Sequence, residues 1–311
     1  MENIYDVIII GGGPAGLSAA IYSSRRALNT LLISRDIGGQ VSKTPDIENY
    51  PGIDKISGID LANKFKDQAE KFGAKIIFEE TAKIIKLKDK FVVQTLRNKY
   101  EAKSVILASG KKPRELGVPG EEEFKGKGVS YCATCDVPFF RNKTVAVAGG
   151  GNSALDAALL ASKFCKKVYL IHRRDSFIGE QVLIKKVLDN KIIEIIYSDE
   201  VEEIIGDKVV KSIKLKSGRE IISDGIIVEV GYIVDHSLVE GLVKLDQKHQ
   251  VLVNNVQETS IPGIFAAGDL TETPYKQIVI SAGEGVKAAL SCYDYLQQMQ
   301  GKRGILADWH H

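Results

Sequence analysis

The sequence has few cysteines, almost no net charge and no long apolar run, and each shortage excludes a class of protein. Only 4 of its 311 residues are cysteine, too few for a disulfide-rich secreted scaffold and in keeping with a reducing cytoplasm. The formal net charge of +2 provides no broad basic field for nucleic acid or an anionic membrane. No apolar stretch approaches the roughly 18 residues of a membrane-spanning helix. We therefore expect a cytoplasmic protein that binds neither nucleic acid nor membrane.

A β-α-β pattern occurs twice, about 138 residues apart. The first copy predicts a strand over 5–10, a glycine-rich loop, a helix to about residue 26 and a strand over 30–34. The second predicts a strand over 144–148, another glycine-rich loop, a helix to about residue 164 and a strand over 167–172. We expect an α/β protein with two Rossmann-like (three-layer ββα) nucleotide-binding domains, the second inserted in the first.

Turn signals suggest where the inserted domain begins and ends. Proline and glycine interrupt the chain over 111–120, and a second crossover is plausible near Gly241. A turn, a short strand and a Gly-Asp end over 261–269 then resemble a return to the first domain. We predict a first domain formed by residues 1–115 and 244–311, with the second domain over 116–243.

The first glycine-rich loop predicts a dinucleotide site. Gly11 allows a tight turn, Gly13 lets the backbone approach a pyrophosphate, and Gly16 lets the helix pack closely on the strand. The predicted loop contacts are Gly11, Gly13, Pro14, Ala15 and Gly16. Ser34 ends the second strand, where an acidic residue that binds ribose is expected, and Asp36 is close but offset.

The second loop has the same spacing, with alanine in the third glycine position. Its predicted contacts are Gly149, Gly151, Asn152, Ser153 and Ala154. The following strand ends in His172, Arg173 and Arg174 instead of a carboxylate. Two guanidinium groups suit an added 2′-phosphate, so the sequence favours NADPH over NADH. A solvated arginine pair at a strand end is the alternative interpretation.

A Cys-x-x-Cys pair, Cys132 and Cys135, lies just before the second β-α-β unit. A structural zinc site needs four ligands, and no second Cys/His pair has suitable spacing, so we predict no metal. Two inert core thiols remain possible. A redox disulfide is the third interpretation, since such a pair can exchange two electrons beside a nucleotide site. Asp136 would then exchange a proton with a departing thiolate, or it could simply cap a helix.

Taken together, these motifs make the chain resemble the low-molecular-weight thioredoxin reductases over essentially its whole length. The matching segments are Gly11 to Gly16, Gly38 to Gln40, Ile47 to Gly52, Cys132 to Asp136, Gly149 to Ala154, His172 to Asp175, Gly263 to Asp269, Tyr275 to Gln277 and Ser281 to Gly283. The resemblance implies FAD in the first domain and NADPH in the second. It also implies thioredoxin or a thioredoxin-like protein as acceptor, and a cytoplasmic homodimer.

The resemblance assigns roles to individual residues. Cys135 would face the flavin and accept electrons, Cys132 would attack the thioredoxin disulfide, and Asp136 would be the acid/base. Asp269 would bond the ribitol chain, and the Gln277 backbone would lie beside the ring. The remaining FAD contacts that it implies are Ser34, Gly38, Gly39, Gln40, Asn49, Ser109, Gly110, Gly268, Lys276 and Ile278.

Alternatives stay open for the cofactor preference and for the function. Ile178 stands where many members of that family place a third arginine near the 2′-phosphate. A function of another class, a flavin-bound redox sensor whose disulfide reports cellular state without turnover, uses the same residues. Anaerobic titration with NADPH, followed by addition of thioredoxin, discriminates the sensor from the enzyme.

Overall fold

The computed structural model describes residues 4–44 and 46–302. Its strands are β1 (Tyr5–Ile10), β2 (Thr30–Ser34), β3 (Lys75–Phe78), β4 (Thr81–Lys86), β5 (Phe91–Thr95), β6 (Lys99–Leu107), β7 (Lys112–Pro113), β8 (Val129–Ser130), β9 (Thr144–Gly149), β10 (Lys167–His172), β11 (Ile193–Tyr197), β12 (Val201–Gly206), β13 (Val210–Leu215), β14 (Glu220–Ile222), β15 (Gly225–Glu229), β16 (Tyr232–Ile233) and β17 (Ile264–Ala266).

The α-helices are α1 (Pro14–Arg25), α2 (Gly58–Lys71), α3 (Ala133–Asp136), α4 (Asn152–Ser162), α5 (Gln181–Leu188) and α6 (Ile278–Met299). Short 3₁₀ turns lie at Val41–Lys43, Val137–Phe140 and Gly268–Leu270. Among these helices, none is long and apolar enough to cross a membrane. The chain divides into two compact units, one formed up to Lys111 and from Val234 onward, the other by Lys112–Ile233.

The first unit is built on a sheet with strand order β3-β2-β1-β6-β5-β4, and β17 also pairs with β6. The long strand β6 pairs in parallel with β1 and β17 through its second half, and antiparallel with β5 through its first. Alternate residues of β1 point to opposite faces. Val7 and Ile9 pack in a cluster with residues of α1 and α6, whereas Ile8 and Ile10 pack in a cluster that includes β4 and β5. Both faces are therefore covered, which explains the uninterrupted apolar run in β1.

The second unit repeats this three-layer plan. Its parallel sheet has the order β11-β10-β9-β15-β8. Val145 and Val147 pack in a cluster with α4 and α5, while Ala146 and Ala148 pack in one with the antiparallel strands β12, β13 and β14. The predicted fold class, two Rossmann-like nucleotide-binding folds with one inserted in the other, is confirmed.

The second compact unit begins at Lys112 and ends at Ile233, so both of its boundaries lie before the predicted ones at 115/116 and 243/244. Strands β7 and β16 pair antiparallel with each other, and both belong to the second unit. The segment after β16 belongs to the first unit because Val234, Val239 and Val243 are buried in the same cluster as Ile8. The sequence alone did not indicate which core these three valines fill.

Candidate functional site: two nucleotide loops and a disulfide

Of the four glycines in the first glycine-rich loop, only Gly13 could carry a Cβ without a close contact. A Cβ on Gly11 would lie 2.2 Å from the Ala108 carbonyl oxygen, and one on Gly16 would lie 1.8 Å from the Gly11 oxygen. A Cβ on Gly13 would meet nothing closer than the Gly38 oxygen at 4.0 Å. The close contacts fix the turn, while the open side of Gly13 is where a pyrophosphate approaches in loops of this kind.

The end of α1 that follows this loop is also suited to an anion. Gly13 is the N-cap, Pro14 follows it, and no side chain of the described residues caps the helix. Unpaired N–H groups and the helix dipole favour a negative charge there. The Ser34 hydroxyl accepts a hydrogen bond from Gly12 N at 2.9 Å and retains its own proton to donate, so its contact with FAD stays a prediction.

Three other residues predicted to bind FAD, Gly38, Gly39 and Ser109, lie against this loop although they are far from it in sequence. Gly38 N donates to the Gly12 oxygen at 2.8 Å, and a Cβ on Gly39 would lie 3.8 Å from the Gly13 Cα. Ser109 N lies 2.9 Å from the Cβ position of Gly11, so the Ser109–Gly110 turn adjoins the loop. These contacts bring the ends of β1, β2 and β6 to one edge of the parallel sheet.

Strand β17 delivers Gly268 and Asp269 to the same edge. Gly268 has φ +79°, and a Cβ there would lie 2.9 Å from the Ala15 Cβ. The Gly268 N–H donates to the buried Glu284 carboxylate at 2.7 Å, and the Ser281 hydroxyl lies 3.4 Å from Asp269 Oδ1. Helix α6 therefore holds the Gly268–Asp269 segment through Ser281 and Glu284, which lie on the same face of the helix.

Five further predicted residues make side-chain contacts within the first unit. Asn49 Nδ2 lies 3.4 Å from Gln277 Oε1, and Gln40 Nε2 lies 3.4 Å from the Lys111 oxygen. Lys276 Nζ donates to the Thr271 oxygen at 2.8 Å, and burial lowers the pKa of this amine. Ile278 packs in the small cluster around Val41, Ile47 and Leu61. The long-range contacts support one shared site in the first unit.

The second loop shows the same pattern of closed and open positions. A Cβ on Gly149 would lie 2.2 Å from the Glu229 oxygen, but one on Gly151 would meet nothing closer than the Ile178 oxygen at 3.7 Å. Gly151 is the N-cap of α4, and no described side chain caps that helix either. Asn152 is held by Glu180, whose N–H donates to the Asn152 side-chain oxygen at 2.8 Å, while Ser153 is exposed and Ala154 is buried.

The three residues predicted to bind NADPH at the end of β10 differ in their exposure. Arg173 and Arg174 are exposed, as an anion site requires, whereas His172 is buried. A Cβ on Gly150 would lie 2.2 Å from His172 Nδ1, so the imidazole packs directly under the loop. Burial lowers the pKa of His172, which favours a neutral ring at neutral pH. His172 supports the loop by packing against Gly150, and its contact with NADPH stays a prediction.

Cys132 and Cys135 form a disulfide, with Cα atoms 5.3 Å apart. Cys132 is the N-cap of the one-turn helix α3, and its sulfur accepts from Cys135 N at 3.3 Å. Cys135 is exposed and Cys132 half-buried. Within residues 4–44 and 46–302, no group of three or more His, Cys, Asp or Glu is placed to hold a metal ion. The geometry is that of a pair able to open and close a disulfide.

The other two cysteines are chemically quiet. Cys165 and Cys292 are both buried and free. Burial raises the pKa of Cys165 to about 11 and that of Cys292 to about 12. Because the thiolate is the reactive form, neither competes with the disulfide at neutral pH.

Two buried polar residues of the second unit, Ser130 and Glu121, were not predicted from the sequence. Ser130 hydrogen-bonds both Asp136 and the backbone of Cys132. Glu121 is buried, and its carboxylate accepts from Leu116 N, Gly117 N and the Tyr131 hydroxyl at 2.8, 2.6 and 2.8 Å. The pKa of Tyr131 is raised, mainly because its hydroxyl is buried and to a smaller extent because it donates to Glu121. Neither Ser130 nor Glu121 lies in a distinctive motif, and both find their partners within 10 positions along the chain, through local turns that carry no clear sequence signal.

A dinucleotide-type loop in each unit and a disulfide in the second unit define a nucleotide-dependent oxidoreductase that works through a disulfide. A family model described as pyridine nucleotide-disulphide oxidoreductase matches residues 5–285, and the chain belongs to this family.

The individual relatives are more specific. The chain is 39% identical to a thioredoxin reductase of Bacillus subtilis (strain 168) over 306 residues, covering 96% of this chain and 97% of that protein. It is 40% identical to a thioredoxin reductase of Treponema pallidum (strain Nichols), covering 96% and 100% of the two chains. The crystal structure of Lactococcus lactis thioredoxin reductase matches with a TM-score of 0.89 at 36% identity, covering 94% of this chain and 99% of that chain. The resemblance predicted from the motifs is confirmed.

Proposed function

We propose that this chain is an FAD-containing thioredoxin reductase that uses NADPH. The reaction is NADPH + H⁺ + thioredoxin disulfide → NADP⁺ + thioredoxin dithiol. The observation that carries the proposal is the Cys132–Cys135 disulfide at the start of a helix, in the same unit as a nucleotide loop followed by an exposed arginine pair. The names of the relatives support thioredoxin, or a thioredoxin-like protein, as the acceptor.

FAD fits the first unit. The open side of Gly13 and the uncapped start of α1 would receive its pyrophosphate. Asp269, held by Ser281, would bond the ribitol chain, and the linked Asn49 and Gln277 would lie near the ring. When bound, FAD accepts a hydride from NADPH and passes two electrons to a disulfide.

NADPH fits the second unit as a substrate. The open side of Gly151 and the start of α4 would receive its pyrophosphate. Arg173 and Arg174 would pair with the 2′-phosphate, which NADH lacks. Because Ile178 is exposed and uncharged at this site, the arginine pair carries the preference for NADPH.

The dithiol passes its electrons on by two exchanges. The Cys132 thiolate attacks one thioredoxin sulfur, and the other thioredoxin sulfur leaves as a thiolate that takes a proton. Cys135 then attacks Cys132, the second thioredoxin sulfur leaves and is protonated, and the Cys132–Cys135 disulfide is restored. Asp136 accepts the proton of the attacking thiol and gives it to the leaving sulfur. Two electrons and two protons thus reach thioredoxin in each cycle.

The assembly and the compartment are part of the proposal. We expect a homodimer, as the resemblance to low-molecular-weight thioredoxin reductases implies. A reducing cytoplasm is the expected compartment, because two of the four cysteines are free and the other two form the redox pair.

Anaerobic titration of the purified protein tests the function. We expect a yellow protein whose flavin is bleached by NADPH and which then reduces added thioredoxin. Cys132→Ser should abolish thioredoxin reduction while FAD is retained. The control Cys165→Ala, which removes a buried free thiol, should leave the rate of thioredoxin reduction nearly unchanged. Bleaching without transfer to any thioredoxin or glutaredoxin would instead favour a redox sensor. A protein that cannot be loaded with FAD would overturn the whole scheme.

A further inference from the structure

A buried hydroxyl links the two ends of the redox motif. Ser130 is the last residue of β8, where the sheet register with Ile227 fixes its backbone, and its exposed fraction is 4%. Its Oγ lies 2.6 Å from Asp136 Oδ2, 3.0 Å from Cys132 N and 3.3 Å from the Cys132 oxygen. Ser130 therefore joins the proposed acid/base to the backbone of the proposed attacking cysteine.

The helix that carries Asp136 needs such a tie. Helix α3 has four residues, far too few to be stable alone, and Asp136 is its last residue. The backbone bond from Asp136 N to the Cys132 oxygen, at 3.1 Å, fixes the main chain of this turn. The carboxylate has a separate anchor, the short bond from Ser130.

The three contacts of Ser130 can serve Asp136 in both of its protonation states. A hydroxyl has one proton to donate and two lone pairs that accept. With Asp136 ionised, the Ser130 proton points to the carboxylate, and Cys132 N–H occupies one lone pair. With Asp136 protonated, its own O–H can donate to Ser130 Oγ, and the Ser130 proton can turn to the Cys132 oxygen. No heavy atom has to move.

We propose that Ser130 is the positioning residue of the dithiol exchange. It holds the Asp136 carboxylate in one orientation relative to Cys132 while Asp136 takes a proton from the attacking thiol and returns it to the leaving sulfur. The inference rests on the proposed function, and in particular on Asp136 as the acid/base. Ser130 acts only through Asp136 and the Cys132 backbone, because it is itself buried.

A double-mutant cycle in the full-length, FAD-loaded protein tests this. Ser130→Ala should lower kcat for thioredoxin reduction roughly tenfold, the scale of one lost hydrogen bond to a charged group. KM for thioredoxin should stay within about twofold, since a buried hydroxyl does not contact the partner. Ser130→Thr, which keeps the hydroxyl, should recover most of the rate. In an Asp136→Asn background, Ser130→Ala should cause little further loss.

Equal losses in the two backgrounds would overturn the proposal, because they would show an effect independent of Asp136. Failure of Ser130→Thr to recover any activity while it folds and binds FAD normally would do the same. Far-UV circular dichroism and FAD content check that each variant is folded. If Ser130→Ala does not fold, Ser130→Gly, which also lacks the hydroxyl, replaces it in the same cycle and is judged by the same outcomes.

A second measurement separates this proposal from the proposed function. The cysteine pair is reduced chemically. The rate at which iodoacetamide alkylates Cys132 is then compared in wild type, Ser130→Ala, Asp136→Asn and the variant with both substitutions. Ser130→Ala should change that rate in the wild-type background and not beside Asp136→Asn. This result would support the link even if the wild-type protein transferred no electrons to thioredoxin. An unchanged rate in both backgrounds would exclude it.

Discussion

At the scale of single residues, Glu79 is a carboxylate with several hydrogen-bond donors around it, and it belongs to the first unit. Glu79 follows β3 and accepts hydrogen bonds from the Thr95 hydroxyl, Asn98 Nδ2 and the Tyr100 hydroxyl at 2.6, 2.7 and 3.1 Å. The bond from Thr95 is the main reason that the pKa of Glu79 is lowered. A lowered folded-state pKa means that the ionised form contributes stability above the ordinary glutamate value. That contribution is lost as the pH falls through the folded-state pKa.

We therefore predict that Glu79→Gln lowers the free energy of unfolding by about 1 kcal/mol near neutral pH. The difference from wild type should shrink as the pH falls below the ordinary value of 4.5, because the wild-type carboxyl then becomes neutral as well. Thermal unfolding followed by circular dichroism over this pH range measures it. Glu80→Gln is the matched control, since Glu80 makes an exposed contact with Arg35 at 3.4 Å. A difference that does not depend on pH would contradict the prediction.

At the scale of elements, the contact between α1 and α6 decides how the parts of the first site meet. A Cβ on Gly285 would lie 2.0 Å from the Ala15 oxygen, whereas one on Gly283, in the same helix, would meet nothing within 4 Å. We predict that Gly285→Ala forces the helices apart, lowers the stability of the apoprotein by about 1–3 kcal/mol and weakens FAD binding, because Ala15 belongs to the loop. Gly283→Ala should leave the apoprotein unchanged or up to about 1 kcal/mol more stable.

Unfolding of the two apoproteins and their flavin affinities, measured by fluorescence quenching, provide the comparison. Equal effects of the two substitutions on stability would show that the close approach at Gly285 is relieved at no cost. Normal flavin affinity in a destabilised Gly285→Ala would show that the helix contact does not position the loop.

The strands and helices also show which features of the fold and of the site can be predicted from the sequence. The bounds of β1, β2 and β10 are those predicted, because an apolar run ending at a glycine or polar cluster is a local signal. The contact of Asn49 with Gln277 joins residues more than two hundred positions apart, and it was not predicted: family resemblance implied only that each would lie near the flavin. Ser130 carries no signal, since a serine before Cys-x-x-Cys acquires its partners only when α3 folds back on it.

At the scale of the whole molecule, each unit buries both faces of its own sheet, so the two have separate cores. We therefore expect two unfolding transitions with different ligand responses. FAD at about 100 times its Kd should stabilise the first unit by about 2.7 kcal/mol, and NADP⁺ should do the same for the second. Arg173→Ala with Arg174→Ala should remove most of the NADP⁺ response and leave the FAD response intact.

Differential scanning calorimetry of the apoprotein with each ligand resolves the transitions. Lys211→Ala with Lys214→Ala removes the same charge from β13 and should leave both responses unchanged, which separates phosphate binding from a general loss of positive charge. A single transition raised by either ligand would mean that the units unfold together. An NADP⁺ response that survives loss of both arginines would place the 2′-phosphate elsewhere, and the preference for NADPH would then need another cation of the second unit.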